Sequence, residues 1–203
     1  MNEKFFDLNK TKQDCMINAA LKVFAENSYR HASTDTIVKN AGISKGLLFH
    51  YFESKTGLYT FLFDYSVKYM IFELDHTVSK DSDDYFLIRK DMEKAKLNVL
   101  RNYPYMSQFI KSGLYEDTID VIEKIEEPKK LYLETIASYT ANAKMGTLSA
   151  AVTEKQVETL IRYAVEGLTG DQLKADCFQP ELLYREICKY IDMIHSLTVI
   201  GKN

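Results

Sequence analysis

The sequence contains no tryptophan and has only three prolines and eight glycines among its 203 residues. Residues that interrupt helices are therefore scarce, and the alternation of apolar and polar residues typical of strands is nearly absent, so we predict a helical chain. No apolar run approaches the roughly 20 residues that a membrane-spanning helix needs. Residues 1–12 are polar and charged, unlike a secretory signal sequence. We expect a cytoplasmic protein.

The sequence is also poor in residues arranged for catalysis. Its three cysteines, Cys15, Cys177 and Cys188, are odd in number, far apart and without metal-ligand spacing. Each lies in a predicted helix or at its edge, where a reduced cysteine packs as a small apolar side chain. The sequence has no Ser/His/Asp arrangement, phosphate loop or Rossmann glycine pattern. We therefore predict packed, reduced thiols, no bound cofactor and no enzymatic activity.

The net charge of −3 is unfavourable for a nucleic-acid-binding protein, but it is unevenly distributed along the chain. Residues 1–60 hold eight Lys and Arg against six Asp and Glu, a net charge of +2. Residues 61–203 hold eighteen against twenty-three, a net charge of −5. The positive excess lies in the first part of the chain, so DNA affinity is expected to depend on a few well-placed contacts and on dimerisation.

Residues 33–58 are predicted to form two short helices joined by a glycine turn, with a third helix starting just afterwards. Gly42 supplies the positive φ that a tight helix-ending turn favours. Ser44 is expected to cap the second of these helices. The first helix carries its apolar residues on one side, at Ile37, Val38 and Ala41. Two short helices joined in this way are typical of the helix-turn-helix, whose second helix enters the major groove of DNA.

The segment from Ala41 to Lys55, Ala-Gly-Ile-Ser-Lys-Gly-Leu-Leu-Phe-His-Tyr-Phe-Glu-Ser-Lys, closely resembles the helix-turn-helix signature of the TetR family of bacterial transcriptional regulators. The resemblance also includes Phe24, Tyr29, Ile37, Leu58 and Tyr59. Three positions depart from the family pattern: Ser28 replaces a glycine, Val38 an alanine and Phe49 a tyrosine. The last change removes a hydroxyl that can reach a phosphate.

The predicted fold is all-α, with about nine helices in two parts. Residues 1–54 are assigned to a helix-turn-helix DNA-binding domain and residues 55–203 to a ligand-binding and dimerisation domain, connected by a long helix over 55–76 that Ser54 caps. The resemblance implies a transcriptional repressor that binds a palindromic operator as a homodimer. It also implies release by a small-molecule effector, with the long helix as a natural mechanical link.

The predicted DNA contacts lie at the two helix starts and along the recognition helix. Lys45 can donate to guanine O6 or N7, and Gly46 permits close approach to a base. By resemblance, Lys55 contacts a phosphate. The residues assigned to DNA binding are Ser33, Thr34, Lys39, Ser44, Lys45, Gly46, His50, Tyr51 and Lys55. His50 and Tyr51 are expected on the exposed side, Leu47, Leu48 and Phe52 in the core, and Phe49 either against a sugar or in the core.

Helix-breaking residues set the later boundaries. We expect a loop at 80–84, a helix over 85–102 and a short helix over 104–111 that Gly113 ends. Pro128 should kink or split the helix predicted from 115 to 142. Two further helices carry wide apolar stripes, which can form the subunit's own core, pair with a second copy, or do both with one face each. The resemblance favours a dimer interface formed by Leu160, Ile161, Ala164, Leu168, Ile187, Tyr190, Ile191 and Ile194.

The second part is dense in aromatic and methionine side chains. They are either ordinary core or the lining of a pocket for an apolar or amphipathic small molecule, with tyrosine hydroxyls to orient it. The residues assigned to such a pocket are Tyr65, Tyr69, Phe72, Met92, Tyr103, Met106, Phe109, Tyr132 and Tyr139.

A competing interpretation comes from Glu73-x-x-His76 and Asp192-x-x-His195, each of which places a carboxylate and an imidazole one helical turn apart. Two such pairs are typical of di-iron carboxylate enzymes built in helical bundles. Pairs of this kind also arise often by chance. A second alternative is a helical protein that binds a small molecule and has lost DNA binding, against which Lys45, Tyr51 and Lys55 argue.

Overall fold

The computed structural model describes residues 3–174 and 178–201. Within these ranges the chain forms a short 3-10 helix, Glu3–Phe5, and nine α-helices, with no strand beyond two isolated β-bridges. The helices are α1 (Lys10–His31), α2 (Thr34–Ala41), α3 (Lys45–Phe52), α4 (Lys55–Thr77), α5 (Tyr85–Asn102), α6 (Met106–Leu114), α7 (Ile119–Thr140), α8 (Glu154–Lys174) and α9 (Pro180–Thr198). The all-α prediction is confirmed. Among the described residues no helix is both long and apolar enough to cross a membrane.

The chain divides into two compact units. The first comprises Met1–Phe72 and Asn102–Glu134, and the second comprises Glu73–Arg101 and Thr135–Asn203. Helices α4, α5 and α7 therefore contribute residues to both. The division predicted between residues 54 and 55 does not coincide with a boundary of these units, and it stays a prediction about function.

The first unit is built on the buried side of α1. Ile17, Leu21 and Phe24 recur at helical spacing and are at most 2% exposed. The ring of Phe24 meets that of Tyr59 on α4 edge to face, with 5.0 Å between ring centroids, and lies 6.0 Å from that of Phe109 on α6. These aromatic contacts hold α1, α4 and α6 together, and α2 packs against α1.

Gly113 does not end the short helix as predicted, because α6 runs from Met106 to Leu114 and Gly113 lies inside it. A Cβ at this position would lie 2.2 Å from Cε2 of Phe63 on α4. The glycine is therefore required for close packing of α6 on α4 rather than for a turn.

Pro128 does not split the helix that contains it. Helix α7 continues from Ile119 to Thr140 with Pro128 inside. Proline lacks an N–H and therefore leaves one carbonyl of the preceding turn without its usual helical partner. The chain tolerates this at a half-buried position.

The second unit has a core made largely by α8 and α9. Val157, Ile161 and Val165 from α8 pack with Leu183, Ile187, Ile191 and Ile194 from α9, and with Tyr85 and Phe86 from α5. This overturns part of the predicted dimer interface. Ile161, Ile187, Ile191 and Ile194 are at most 7% exposed within one subunit, because each stripe is wide enough to serve the internal core with one of its sides.

The remaining predicted interface residues lie nearer to solvent. Leu160 and Tyr190 are 48% and 41% exposed, and Ala164 and Leu168 are half-buried against the core. The outer sides of α8 and α9 thus keep apolar side chains that the subunit itself does not cover.

The cysteine prediction fails for Cys15, which is exposed on α1 rather than packed. Its Sγ lies 3.5 Å from the carbonyl oxygen of Ala41. Cys188 on α9 is half-buried, as expected, and burial raises the pKa of its thiol. Cys177 lies outside the described residues.

Candidate nucleic-acid interface

Helix α2 and the turn after it have the local geometry that the sequence predicts. The Ser33 hydroxyl accepts a hydrogen bond from the Thr36 N–H, which caps the start of α2. Gly42 adopts φ 64° and ψ 32°, the left-handed conformation. The N–H of Ile43 then donates to the carbonyl of Val38, so the helix ends in a tight glycine turn.

Helix α3 begins directly after this turn and buries one side. The Ser44 hydroxyl accepts from the Leu47 N–H and caps it. Leu48 and Phe52 are buried, as predicted. Phe49 is half-buried, which fits its ambiguous assignment.

Two assignments on α3 are wrong. Tyr51 was expected on the exposed side, but it is only 7% exposed and meets the ring of Phe5 edge to face at 5.7 Å. Phe5 belongs to the 3-10 helix before α1, which covers this side of α3. Leu47, predicted in the core, is instead 37% exposed. The described elements cover its side of α3 less than they cover the side of Leu48 and Phe52.

The open side of α3 presents polar and small residues. Ser44, Lys45, Gly46 and His50 are exposed, and a Cβ added at Gly46 would meet nothing within 4 Å. The Lys45 ammonium donates to Oδ1 of Asp35, near the start of α2, at 2.9 Å. This surface can therefore approach another molecule closely, and the Lys45 ammonium on it is held by a carboxylate that the sequence analysis did not single out.

The other predicted contacts surround this surface. Ser33, the N-cap residue of α2, and Lys39 on α2 are exposed, and Thr34 is half-buried. The Lys55 ammonium donates to the carbonyl of Arg30 at 3.3 Å and lies 4.7 Å from the centroid of the Tyr29 ring. Partial burial lowers the pKa of the Lys55 ammonium.

A strained turn near the end of α1 supports the Tyr29 side of this site. Ser28 adopts φ 57° and ψ 174°, a conformation that favours glycine. The next N–H, of Tyr29, donates to the carboxylate of Glu116 at 3.3 Å. Burial alone would raise the pKa of Glu116, but hydrogen bonds from Thr118 and Tyr29 lower it overall. Sequence reasoning missed Glu116 because it is 87 residues from Tyr29.

The residues assigned to a ligand pocket differ widely in their burial. Met92, Tyr103, Met106 and Phe109 are at most 1% exposed and form core, whereas Phe72 is 56% exposed. Met92 and Tyr139 belong to the second unit and the other seven to the first. The remaining four, Tyr65, Tyr69, Tyr132 and Tyr139, are half-buried.

Tyr103 illustrates how a predicted ligand residue is used internally. Its hydroxyl donates to Asp14 Oδ1 at 2.6 Å and contacts the hydroxyl of Tyr65 at 2.9 Å. The Lys10 ammonium donates to the same hydroxyl at 2.9 Å. A cavity of about 400 Å³ elsewhere contains none of the predicted residues and is lined by Gly146, Thr147, His195, Ser196, Val199, Ile200 and Gly201.

The acid–histidine pairs are used for packing and ion pairing. Glu73 accepts from the Asn98 side chain at 3.2 Å, and Asp192 accepts from Lys90. The His195 ring packs on Phe86 with 4.5 Å between centroids. Across residues 3–174 and 178–201, no group of three or more His, Cys, Asp and Glu side chains is placed to hold a metal ion. The di-iron interpretation therefore has no support in this part of the chain.

Comparison with known proteins agrees with the geometry. Residues 16–60 match the sequence model of the family described as "Bacterial regulatory proteins, tetR family". The uncharacterized HTH-type transcriptional regulator YuxN of Bacillus subtilis (strain 168) is 27% identical over 121 residues. That alignment covers 60% of this chain but only 40% of YuxN, so the chain spans less than half of this relative.

Solved structures share the whole fold. A TetR family transcriptional regulator from Chloroflexus aurantiacus J-10-FL superposes with a TM-score of 0.65 at 20% identity, covering 98% of this chain and 99% of that one. The regulator FadR from Bacillus subtilis, solved in complex with stearoyl-CoA, gives a TM-score of 0.56 at 18% identity, covering 90% and 97%. Residues 16–60, which contain the helix-turn-helix, are therefore similar to the TetR family of bacterial regulatory proteins, and the chain shares the fold of these solved structures.

Proposed function

We propose that this protein is a sequence-specific DNA-binding transcriptional regulator that acts as a homodimer in the cytoplasm. It functions as a repressor that a small apolar or amphipathic molecule releases from a palindromic operator. No enzymatic step is part of this function. The observation that carries the proposal is the capped α2–Gly42–α3 unit, whose open side presents Lys45 and Gly46 at the start of α3.

The chemistry of that open side suits a recognition helix. The first turn of such a helix reads base edges, while neighbouring groups contact phosphates. Lys45 supplies donors for guanine, and Gly46 leaves room for the backbone to approach a base. Lys55 and the start of α2 at Ser33 supply the flanking contacts to phosphate oxygens.

Selection of bound sequences from a random DNA pool, at two salt concentrations, tests the DNA-binding proposal. We expect a palindrome with two half-sites separated by about one helical turn or somewhat more. Replacing Lys55 with Ala should weaken binding to all sequences alike and reduce the salt dependence. If no sequence is enriched at either salt concentration, the proposal of sequence-specific binding fails.

The homodimer is proposed to form through the outer sides of α8 and α9. On α8, Leu160 and Tyr163 are 48% and 60% exposed, and on α9 Tyr190, Met193 and Leu197 are 41%, 48% and 74% exposed. Uncovered apolar side chains of this size on two neighbouring helices are typical of an interface. A dimer places two copies of α3 on one DNA molecule, which multiplies the affinity of each weakly charged domain.

The effector is proposed to be a small apolar or amphipathic molecule. The Bacillus subtilis FadR, which shares the fold, was solved with stearoyl-CoA, and that observation motivates a fatty acyl thioester as the first probe. We expect stearoyl-CoA, but not free CoA, to weaken operator binding by about tenfold or more, a usual size for coupling between two sites. Operator affinity that stays constant across a stearoyl-CoA titration rules out this class of effector.

A further inference from the structure

Asp35 and Lys45 form an ion pair across the two short helices. Asp35 is the second residue of α2 and Lys45 the first residue of α3, and their Oδ1 and Nζ atoms are 2.9 Å apart. The two side chains are 73% and 50% exposed. Exposed pairs of this kind contribute about 0–1 kcal/mol to stability, so the fold does not depend on this one.

The position of Asp35 is unfavourable for a simple phosphate contact. The N–H groups and the positive dipole end at the start of α2 favour a phosphate oxygen beside Ser33, whereas the Asp35 carboxylate itself repels one. Asp35 places a negative charge there. A carboxylate on a DNA-facing surface gains most from a partner that donates hydrogen bonds, and in the major groove those donors are the amino groups of cytosine and adenine.

The pair matches the pattern of one particular base pair. Across the major-groove edge, a G·C pair presents two acceptors, guanine N7 and O6, followed by the cytosine N4 amino donor. O6 and N4 are themselves joined by a hydrogen bond of about 2.9 Å, which is the spacing of Nζ and Oδ1 in the Asp35–Lys45 pair. In an A·T pair the adenine amino donor stands between two acceptors, so it would face the ammonium unfavourably.

The ion pair can stay intact while it binds. A lysine ammonium has three N–H donors, of which one goes to Asp35 and two can reach guanine O6 and N7. The carboxylate has two oxygens, and the bond to Lys45 uses Oδ1. Oδ2 can therefore accept from the cytosine amino group.

We propose that Asp35 is a specificity-determining residue, and that Asp35 and Lys45 together read one G·C base pair in each half-site. Lys45 donates to the guanine, and Asp35 accepts from the N4 amino group of the paired cytosine. The inference rests on the proposed DNA binding. It goes further by assigning recognition of the cytosine to Asp35, beside the recognition of the guanine by Lys45.

The test is a comparison of wild type, Asp35→Ala, Lys45→Ala and the double variant by selection from a random pool, followed by measurement of Kd on single-base-pair variants of the operator. We expect Asp35→Ala and Lys45→Ala to relax preference at the same G·C pair. Each should reduce the discrimination there by about tenfold, within the range for a well-placed base contact. Asp64→Ala, which removes the carboxylate of the exposed Asp64–Lys68 pair on α4, is the matched control and should keep the wild-type preferences.

The outcomes separate this inference from the function on which it rests. If wild type selects an operator and Asp35→Ala keeps every base preference while binding all DNA more tightly by one factor, Asp35 only repels phosphates and the inference is wrong. If Asp35→Ala and Lys45→Ala relax the base preference at different positions of the operator, the two side chains do not recognise the same base pair, and the inference is also wrong. If wild type selects no sequence, the DNA-binding proposal itself fails.

Discussion

At the scale of single residues, Ser28 is a position where the residue type conflicts with the backbone conformation. Its φ of 57° with ψ of 174° is a conformation that costs a residue with a Cβ of order 1–3 kcal/mol. Glycine adopts it without that cost. We expect Ser28→Gly to raise the free energy of unfolding by about 1 kcal/mol, less than the full strain because glycine also gains freedom in the unfolded chain. Chemical denaturation of the two proteins measures the difference.

A serine with ordinary helical geometry provides the control for Ser28. Ser138 is exposed inside α7, and glycine there should lower the free energy of unfolding by about 0.5–1 kcal/mol. Both substitutions replace serine with glycine, and they are expected to change the free energy of unfolding in opposite directions. Destabilisation by Ser28→Gly would show that the side chain, and not the backbone, governs this turn.

A second residue-scale prediction concerns Tyr51, which was assigned to DNA but lies against Phe5. Because the ring is 7% exposed, Tyr51→Ala should lower the free energy of unfolding by about 3 kcal/mol through loss of packing. Tyr51→Phe keeps the ring and should change stability by less than about 1 kcal/mol. Loss of operator affinity in the Phe variant, with unchanged unfolding, would assign the hydroxyl to DNA; unchanged affinity would make Tyr51 a core residue only.

These residues also show which parts of the site are predictable from sequence. The caps at Ser33, Gly42 and Ser44 depend on neighbours within a few residues, so local patterns find them. The burial of Tyr51 depends on Phe5, and the Asp35–Lys45 pair joins two helices across a turn. Such contacts depend on tertiary packing, which a periodicity or a capping motif does not encode.

At the scale of helices, Glu116 connects the segment after α6 to the strained turn of α1. Its carboxylate accepts from the Tyr29 N–H and from the Thr118 hydroxyl at 2.6 Å. Its pKa lies below the ordinary 4.5, despite partial burial that would raise it. A lowered pKa in the folded state means that ionised Glu116 stabilises the fold above the unfolded pKa, and that this contribution is lost as pH falls through the folded pKa.

Glu116→Gln should therefore be less stable than wild type at pH 7, and the difference should shrink as the pH falls below about 4.5, the ordinary carboxyl range. Thermal unfolding of both proteins across pH 3–7 measures it. Glu123→Gln, at an exposed position on α7, is the control and should track wild type throughout. A difference between Glu116→Gln and wild type that grows as the pH falls would contradict the assignment.

Helix boundaries show the same division between local and tertiary information. The predicted long helix over 55–76 agrees with α4 to one residue because Ser54 caps it through the Gly57 N–H. The sequence predicts a helix end at Gly113, yet the close approach of the Phe63 ring on α4 is what requires glycine there. The assignment of aromatic residues to a ligand stays a prediction for a related reason, since core and pocket share one composition and differ only in packing.

At the scale of the whole molecule, the decisive question is which apolar side of α8 and α9 meets a second copy. The inner side is used within the subunit, so the proposed pairing involves the outer side, where Leu160 and Leu197 are 48% and 74% exposed. We predict that the double variant Leu160→Glu, Leu197→Glu is monomeric, because placing carboxylates in an apolar interface leaves them desolvated and unpaired. Sedimentation equilibrium measures the change in mass.

The monomeric variant should bind a full palindrome no better than a single half-site, because the gain from two linked domains requires both on one DNA molecule. Leu87→Glu is the matched control: Leu87 is 46% exposed on α5 of the same compact unit, and this variant should stay dimeric with wild-type operator affinity. Retained folding in all variants is checked by circular dichroism. A double variant that remains dimeric would move the interface away from this side of α8 and α9. If a monomeric variant still binds the full palindrome better than a half-site, the cooperativity between the half-sites is transmitted through the DNA and not through a protein dimer.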